Sequence, residues 1–252
     1  MPSDGAQTRR RRKRPWSAGS MMAGLDEDAQ MKLLGLATWR YQPPGDVLIR
    51  QGETDPKYVY LLQEPRRGIC AKVTVRLDDA HTINGRGGRP EALLGIMVSG
   101  DLIGEMAVLR RATRSATVTL CARTLVYRIP SDAFLALLGT LPSLASALAA
   151  TIADRLEWAD RRRLDMIGYD VPFRLARVLV DLADRHGHVV PEGRDVGVSL
   201  AQHELGRLVG AGEAAVGKAM REFKDAGLII TRYRRVILTD AERLRGYPGR
   251  AS

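Results

Sequence analysis

The run from Gly104 to Val118, which reads GEMAVLRRATRSATV, holds the residues best suited to binding chemistry. The Arg114 guanidinium presents paired N–H donors that match two oxygens of one phosphate group. Ser115 adds a hydroxyl donor beside it, and Gly104 lets the backbone approach a bound group closely. Glu105 carries carboxylate oxygens that accept from a hydroxyl. These types and spacings predict a phosphodiester site on a loop and short helix between two apolar strands.

The same run resembles the phosphate-binding cassette of cyclic nucleotide-binding domains. The resemblance includes Met106 and Ala107 behind the Gly-Glu pair, and an Arg-Ser pair that starts nine residues after Glu105. It implies that Arg114 and Ser115 hold a cyclic phosphate and that Glu105 accepts from the ribose 2′-OH. A cyclic nucleotide, with cyclic AMP as first candidate, is therefore the expected effector. A fold kept only as a scaffold, without a ligand, stays open as the alternative.

About a hundred residues later, the pattern predicts a helix-turn-helix followed by a basic hairpin. The run 199–202 has the capping-box form, so a helix is expected to start there. Gly210 to Gly212 supply a tight turn, and 213–226 predicts the second, recognition helix. The run 228–238 predicts a hairpin wing with a basic tip. A solvated helix pair in a domain that does not bind DNA is the alternative.

A recognition helix fits the major groove when it exposes small and polar residues near its N-terminus, and wing arginines suit phosphates. Gly217 beside Lys218 is expected to meet that need. The residues predicted to face DNA are Ser199, Gln202, Gly212, Glu213, Ala214, Gly217, Lys218, Arg221, Arg232, Arg234 and Arg235.

A sensor followed by a DNA reader resembles the family of the cyclic AMP receptor protein and FNR over about residues 26–245. The resemblance implies an α+β fold: an N-terminal antiparallel β-roll, a long dimerisation helix and a C-terminal winged helix-turn-helix. Short strands with frequent turn signals between residues 41 and 129 independently favour a roll or barrel. The expected divisions are a disordered basic tail (1–24), the sensor (25–140), the dimerisation helix (141–168) and the DNA-binding domain (169–252).

The predicted long helix, Pro142 to Ile167, carries one stripe at spacings of three and four residues. The stripe consists of Leu144, Leu148, Ile152, Leu156, Ala159 and Arg163. The helix is too polar to be fully buried, because it also carries Arg155, Arg161, Arg162 and Arg163, so a two-stranded dimer seam is predicted. Packing of the helix on its own roll is the alternative. A dimer implies a pseudo-palindromic double-stranded DNA site, and the family resemblance adds RNA polymerase as a candidate partner.

Two sites depart from the family pattern. In cyclic AMP-responsive members, adjacent Thr and Ser on the long helix contact the adenine, and alignment places Ala159 and Asp160 there. Arg155, one turn earlier, could stack on a base or donate to it. The base is therefore held differently, or is a different base, or is bound weakly. In the recognition helix, Glu213, Ala214 and Lys218 replace the family's Arg-Glu-x-x-x-Arg, so the usual TGTGA-type half-site does not follow.

Composition narrows the class of protein. The 252 residues are 45% hydrophobic, and the formal charge of +10 with a pI near 10.0 favours a polyanionic partner. Two cysteines, expected to be buried thiols, are too few for a disulfide scaffold, and four histidines lack zinc-like spacing. No metal, no nucleophile–base pair, no apolar run of 18 residues and no signal peptide are recognised. We therefore expect a soluble cytoplasmic regulator, not an enzyme and not a membrane protein.

Overall fold

The computed structural model describes residues 16–64, 69–76, 91–233 and 235–249. Its first half is mainly strands: β1 (Thr38–Gln42), β2 (Val47–Ile49), β3 (Tyr58–Gln63), β4 (Ile69–Arg76), β5 (Glu91–Val98), β6 (Leu102–Ile103), β7 (Thr117–Leu120) and β8 (Thr124–Pro130). Helix α1 (Glu27–Gly35) precedes them, α2 (Glu105–Arg110) lies between β6 and β7, and α3 (Ser131–Thr140) and α4 (Pro142–Gly168) follow.

The strands of the sensor half form two four-stranded antiparallel sheets, in the orders β1-β8-β3-β6 and β2-β7-β4-β5. A buried apolar cluster that includes Ile49, Leu62, Met97 and Val126 takes side chains from both sheets. The predicted antiparallel roll is therefore confirmed. The short strands expected between residues 41 and 129 are present, and Trp39 lies in β1, which begins just before that region.

The N-terminal boundary differs from the expectation of a disordered tail through residue 24. The Ser17 amide donates to Ser99 O, the Met22 amide donates to Gly100 O, and Met21 and Met22 are buried. Gly100 has φ 96°, and a Cβ there would lie 2.3 Å from the Ser20 hydroxyl oxygen, so only glycine fits. Residues 16–24 are therefore part of the sensor; the basic run 9–14 lies outside the described residues.

Helix α4 packs differently from the predicted seam. Leu144 and Leu148 are buried in the core of their own roll with Phe134, and Ile152 packs partly against the same cluster. The first half of the predicted stripe is therefore wrong, and the alternative of packing on the roll holds for it. Periodicity identified one face of the helix, but that face has a partner within the chain.

The C-terminal half consists of α5 (Val171–His186), β9 (His188–Val190), β10 (Gly193–Asp195), α6 (Gln202–Val209), α7 (Glu213–Asp225), β11 (Ile229–Arg232), β12 (Arg235–Leu238) and α8 (Ala241–Arg245). Asp170 caps α5 by accepting from the Phe173 amide. Strands β11-β12-β10-β9 form an antiparallel sheet beside the helices. The winged helix-turn-helix is confirmed, with α7 as the recognition helix.

The start of α6 corrects the predicted cap. The helix begins at Gln202 with Ala201 as the N-cap, not at Ser199. The Glu204 carboxylate accepts from the Ala201 amide at 2.8 Å, so one half of a capping box is supplied without a serine. In the described part of the chain no single helix is long and apolar enough to cross a membrane; the bent pair α3–α4 passes that test by length and composition only.

Candidate functional site

Arg114 is 5% exposed and is held by two backbone carbonyls. Its Nη1 donates to Gly104 O and its Nη2 to Tyr58 O, each at 2.7 Å. Its Nε has no hydrogen-bond partner among the described residues. Burial lowers the pKa of the Arg114 guanidinium because the charged form loses hydration. A cation buried in this way is well suited to pairing with an anionic group.

Gly104 makes this arrangement possible. Its φ of 84° lies in the left-handed region, and a Cβ there would lie 2.6 Å from Arg114 Nη1 and 3.0 Å from Ile49 Cδ1. Any other residue would therefore strain the backbone and displace the guanidinium. The glycine predicted for close approach is required for the placement of Arg114.

Glu105 opens α2 and is 2% exposed. Its Oε1 accepts from Arg155 Nη1 at 2.8 Å, while Arg155 Nη2 donates to Leu102 O at 3.0 Å. Arg155 belongs to α4, so the long helix is joined to the cassette by a charge-assisted hydrogen bond. Arg155, predicted as a base contact, instead pairs with the carboxylate expected to bind the ribose.

A cavity of about 830 Å³ lies between the roll, α4 and the DNA-binding domain. Eight of the nine predicted ligand residues line it: Gly104, Glu105, Met106, Ala107, Arg114, Ser115, Arg155 and Ala159. Asp160 does not; it is exposed and pairs with Arg163 at 3.1 Å. The cavity volume is within the usual range for small-molecule sites, roughly 300–1,000 Å³.

Sequence reasoning missed the far wall of the cavity. Trp158, one residue before the predicted Ala159, is 8% exposed and lines the cavity with Arg162, Arg185 and Arg207. The guanidinium carbons of Arg162 and Arg185 lie 4.4 and 5.7 Å from the Trp158 ring. The sequence offered one signal for this wall, a tryptophan among the arginines of α4. The fold alone brings α5 and α6 beside that part of α4.

Polar contacts of helix α6 help to hold the DNA-binding domain against the sensor and α4. Lys72 of β4 forms an ion pair with Glu204 of α6, and Arg207 of α6 lies 3.4 Å from Glu91 of β5. Arg162 of α4 donates to the Leu208 carbonyl of α6. The apolar core is also shared, because Ile96 of the roll lies in the same cluster as the buried residues of α5–α7. Helix α6, the first helix of the helix-turn-helix, therefore forms part of the cavity's surroundings.

The exposed face of α7 agrees in part with the prediction. Glu213, Ala214, Lys218 and Arg221 are exposed, as are Gln202 of α6 and the Gly212 N-cap. Gly217 is buried, and a Cβ added there would lie 3.5 Å from Gln202 Oε1. The prediction that Gly217 is exposed is wrong, since the Gln202 side chain lies against it. Ser199 is half-buried.

The wing arginines are paired within the domain. Arg232 pairs with Glu192, and Arg235 donates through Nε to the buried Asp195 at 2.8 Å. The assignment of Arg235 as a free phosphate contact therefore needs correction, because its charge is balanced by a carboxylate of β10. Arg234 lies outside the described residues. Tyr233, in the turn between Arg232 and Arg235, is 90% exposed.

Comparison with known proteins also divides the chain into an N-terminal sensor and a C-terminal DNA-binding domain. A model described as Cyclic nucleotide-binding domain matches residues 39–140, and one described as Crp-like helix-turn-helix domain matches residues 173–247. A "CRP-like cAMP-activated global transcriptional regulator" of Mycobacterium tuberculosis is 31% identical over 154 residues, which are 61% of this chain and 69% of that protein. The chain belongs to the Crp/Fnr family of transcriptional regulators. It combines a cyclic nucleotide-binding domain with a DNA-binding domain, the composition of a regulator that responds to cyclic nucleotides.

Solved structures of Crp/Fnr regulators share the fold. FixK2 from Bradyrhizobium japonicum aligns with a TM-score of 0.67 at 17% identity, covering 86% of this chain and 99% of that one. The regulator CLP of Xanthomonas campestris, described as c-di-GMP responsive, aligns with a TM-score of 0.65 at 22% identity, covering 84% and 99%. At these identities the likeness concerns the fold alone. Among the described residues no group of three or more His, Cys, Asp or Glu side chains is placed to hold a metal ion.

Proposed function

We propose that this Crp/Fnr protein is a homodimeric, sequence-specific transcriptional regulator whose effector is a cyclic nucleotide bound at Arg114, Ser115 and Glu105. The observation that carries the proposal is the buried Arg114, which is held at the cavity wall by Gly104 O and Tyr58 O. Arg114 would hold the cyclic phosphate, and Glu105 would accept from the ribose 2′-OH in exchange for its contact with Arg155. The regulator would act by binding and not by catalysis.

Cyclic AMP is the first candidate effector because the M. tuberculosis relative is described as cAMP-activated. A related cyclic nucleotide is the second, since Ala159 provides no polar group at the cavity wall. The finer assignments of a pseudo-palindromic site, contact with RNA polymerase and a cytoplasmic location follow from family likeness.

Dimerisation would use the exposed stripe of α4. Ala153, Leu156, Leu164 and Ile167 lie on one helical face, and the last three are 60%, 67% and 79% exposed. Asp160 lies in the middle of this stripe, so it would face the partner and not its own cavity. Pairing of two such helices would cover the apolar side chains and place two copies of α7 about one DNA turn apart, roughly 34 Å.

Signal transmission would use the contacts between α6 and the sensor. Arg162, Glu204 and Arg207 join the DNA-binding domain to surfaces next to the cavity. A ligand that contacts α4 and β5 would change the stability of this docked arrangement and shift the population toward a DNA-competent geometry.

The test is DNA binding with and without ligand. Selection from random duplexes would first supply a site, and fluorescence anisotropy would then measure affinity with cyclic AMP, cyclic GMP or neither. We expect a cyclic nucleotide to raise DNA affinity at least about tenfold, and the Arg114→Ala variant to lose that response. Tight DNA binding that no cyclic nucleotide changes would support the alternative, a ligand-independent regulator that keeps the sensor as a scaffold.

A further inference from the structure

The basic run 9–14 is joined to a segment whose place in the fold is fixed. The Trp16 indole Nε1 donates to Gln30 Oε1 at 3.0 Å, and the Ser17 amide donates to Ser99 O at 2.8 Å. The run itself lies outside the described residues, but the chain that follows it is held to the sensor within two or three residues. The point at which the run leaves the sensor is therefore known.

This attachment point lies beside the DNA-binding domain. A Cβ at Gly19 would lie 3.4 Å from the carbonyl oxygen of Arg185, in the last turn of α5, and Gly19 lines the cavity between the sensor and that domain. Helix α5 shares an apolar core with the recognition helix α7, as Leu179 and Phe223 show. The segment that carries the basic run therefore contacts the same body that holds α7.

The run supplies a large part of the positive charge of the chain. Positions 9–14 are five arginines and one lysine, while the formal charge of the whole chain is +10. The DNA-binding domain, from residue 169 onward, has 14 Lys and Arg against 11 Asp and Glu, a net charge of +3. One of its wing arginines, Arg232, is paired with Glu192. The domain that reads DNA thus carries little net charge for a polyanionic partner, and the run adds twice as much beside it.

We propose that the run 9–14 binds the phosphates of the double-stranded DNA on which α7 of the same chain is seated. Runs of five or more like charges are typical of interaction tails, and basic N-terminal arms bind nucleic acid through its backbone. Six extended residues span about 20 Å, and each guanidinium can pair with phosphate oxygens. The inference concerns the contact with DNA alone, so it does not depend on the identity of the effector.

The salt dependence of DNA binding tests the run in the full-length protein. Replacement of all six residues by glutamine should reduce the slope of log affinity against log salt by at least about 3, since each phosphate contact contributes about 0.9. Between roughly 50 and 200 mM salt, that difference corresponds to about 60-fold in relative affinity. A duplex of random sequence is used, so that neither an operator nor an effector is needed. Equal slopes for wild type and the glutamine variant would overturn the inference.

Two control variants separate charge from other effects of the substitutions. Replacement of the five arginines by lysine keeps the charge, so it should keep the wild-type slope. Arg40→Gln with Lys57→Gln removes two exposed cations of the sensor and should also leave the slope unchanged. Single-stranded RNA and vesicles that contain phosphatidylserine are compared as other polyanions. Weaker binding of the glutamine variant to one of these, with an unchanged slope for duplex DNA, would assign the run to that partner and refute the proposal.

A cleavage reagent tests where the run meets the DNA. An iron chelate attached at Thr8→Cys should cut a selected duplex within about one helical turn of the bases that α7 contacts. Thr140→Cys is the matched control, because the 27 residues of α4, about 40 Å, separate that exposed position from the DNA-binding domain. The unsubstituted protein, whose Cys70 is buried and Cys121 half-buried, gives the background. Cleavage from position 8 no stronger than from position 140 would contradict the proposal, whereas failure to select any site would contradict the proposed function.

Discussion

Arg155 Nη1 of helix α4 lies 2.8 Å from Glu105 Oε1 of helix α2 and joins the long helix to the phosphate cassette. Glu105 is 2% exposed, whereas the Arg155 side chain is about a third exposed, so the carboxylate depends on this partner more than the arginine does. A nucleotide ribose would compete with Arg155 for the same carboxylate. Under the proposed function, the pair would connect ligand binding to the position of α4.

The Arg155→Met variant should destabilise the protein by about 3 kcal/mol, because it leaves a buried carboxylate without its cation. Glu105→Gln added to Arg155→Met should restore much of that loss, since no buried charge remains. Urea unfolding of the two single variants and the double variant forms a cycle that isolates the pair. Simple addition of the two single effects would show that the pair is not coupled.

The Arg114→Ala variant should lose cyclic nucleotide binding, because a bound phosphate would have no paired cation at that point, a loss of about 3–5 kcal/mol. Arg114→Lys should bind with intermediate affinity, because an ammonium keeps the charge but cannot hold Gly104 O, Tyr58 O and a phosphate in one plane. Titration calorimetry measures both affinities, and a melting curve checks that each variant folds. Wild-type affinity in Arg114→Ala would place the ligand elsewhere.

The two faces of α4 give opposite predictions for assembly. The double variant Leu156→Asp with Ile167→Asp alters exposed positions, so the protein should still fold. Dimerisation would bury the new carboxylates at the seam, so the variant should remain monomeric. Leu148→Ala alters the roll core, so it should cost about 2–5 kcal/mol of stability without changing the oligomeric state. Light scattering and thermal melting separate the two effects. A monomeric wild-type protein would contradict the proposed assembly.

The cassette could be predicted because its chemistry is local in sequence. Gly104, Glu105 and Arg114 lie within eleven consecutive residues, and their types restrict what they bind. Helix α5 (Val171–His186) likewise has local signals, since its apolar face repeats at helical spacing and Gly187 ends it. Where the signals were local and agreed with one another, the structure matches the prediction.

The predictions that failed concern residues whose neighbours are distant in sequence. Periodicity placed Leu144 and Leu148 on one face of α4, but it could not say whether that face meets a second copy or the chain's own roll. Arg235 looks like a free cation, yet its partner Asp195 lies 40 residues earlier and becomes its neighbour only through sheet pairing. Trp158 was missed because its neighbours come from distant elements.

His186 gives a prediction about pH. Burial, with a smaller contribution from nearby Arg185, lowers the pKa of His186 to about 4. The unfolded chain takes up its proton near pH 6.5, so this group's contribution to stability is full above pH 6.5 and is lost as the pH falls toward 4. At pH 5 the loss relative to pH 7.5 should be about 2 kcal/mol from this group.

Urea unfolding at pH 7.5, 6 and 5 measures that dependence. His186→Gln should show a smaller decrease between pH 7.5 and 5 than the wild type, because no proton is taken up at this site on unfolding. His203→Gln, at an exposed position of α6, is the matched control and should keep the wild-type decrease. Parallel pH profiles for wild type and His186→Gln would show that His186 is not the group responsible.

Variants of Lys218 and Arg235 test base recognition and the structural support of the wing separately. Lys218 is exposed on α7, so Lys218→Ala should change sequence preference, with about 1–3 kcal/mol of discrimination lost at one base pair. Arg235→Ala should mainly lower stability, because it leaves the buried Asp195 carboxylate unpaired. The salt dependence of DNA binding should change little in Arg235→Ala, since this cation is already paired within the protein.

Glu213 is exposed at the start of α7, where it repels phosphates but can accept from a cytosine amino group. Replacement by arginine, which can pair with guanine O6 and N7, should move the preferred site toward a TGTGA-type palindrome that the wild type binds poorly. Selection from random DNA with wild type and Glu213→Arg measures the shift, with Arg221→Lys as a charge-matched control on the same helix. Recovery of the same TGTGA-type palindrome by both proteins would mean that the helix-start residues do not determine specificity, and that the departure from the family pattern at Glu213, Ala214 and Lys218 does not affect the DNA site.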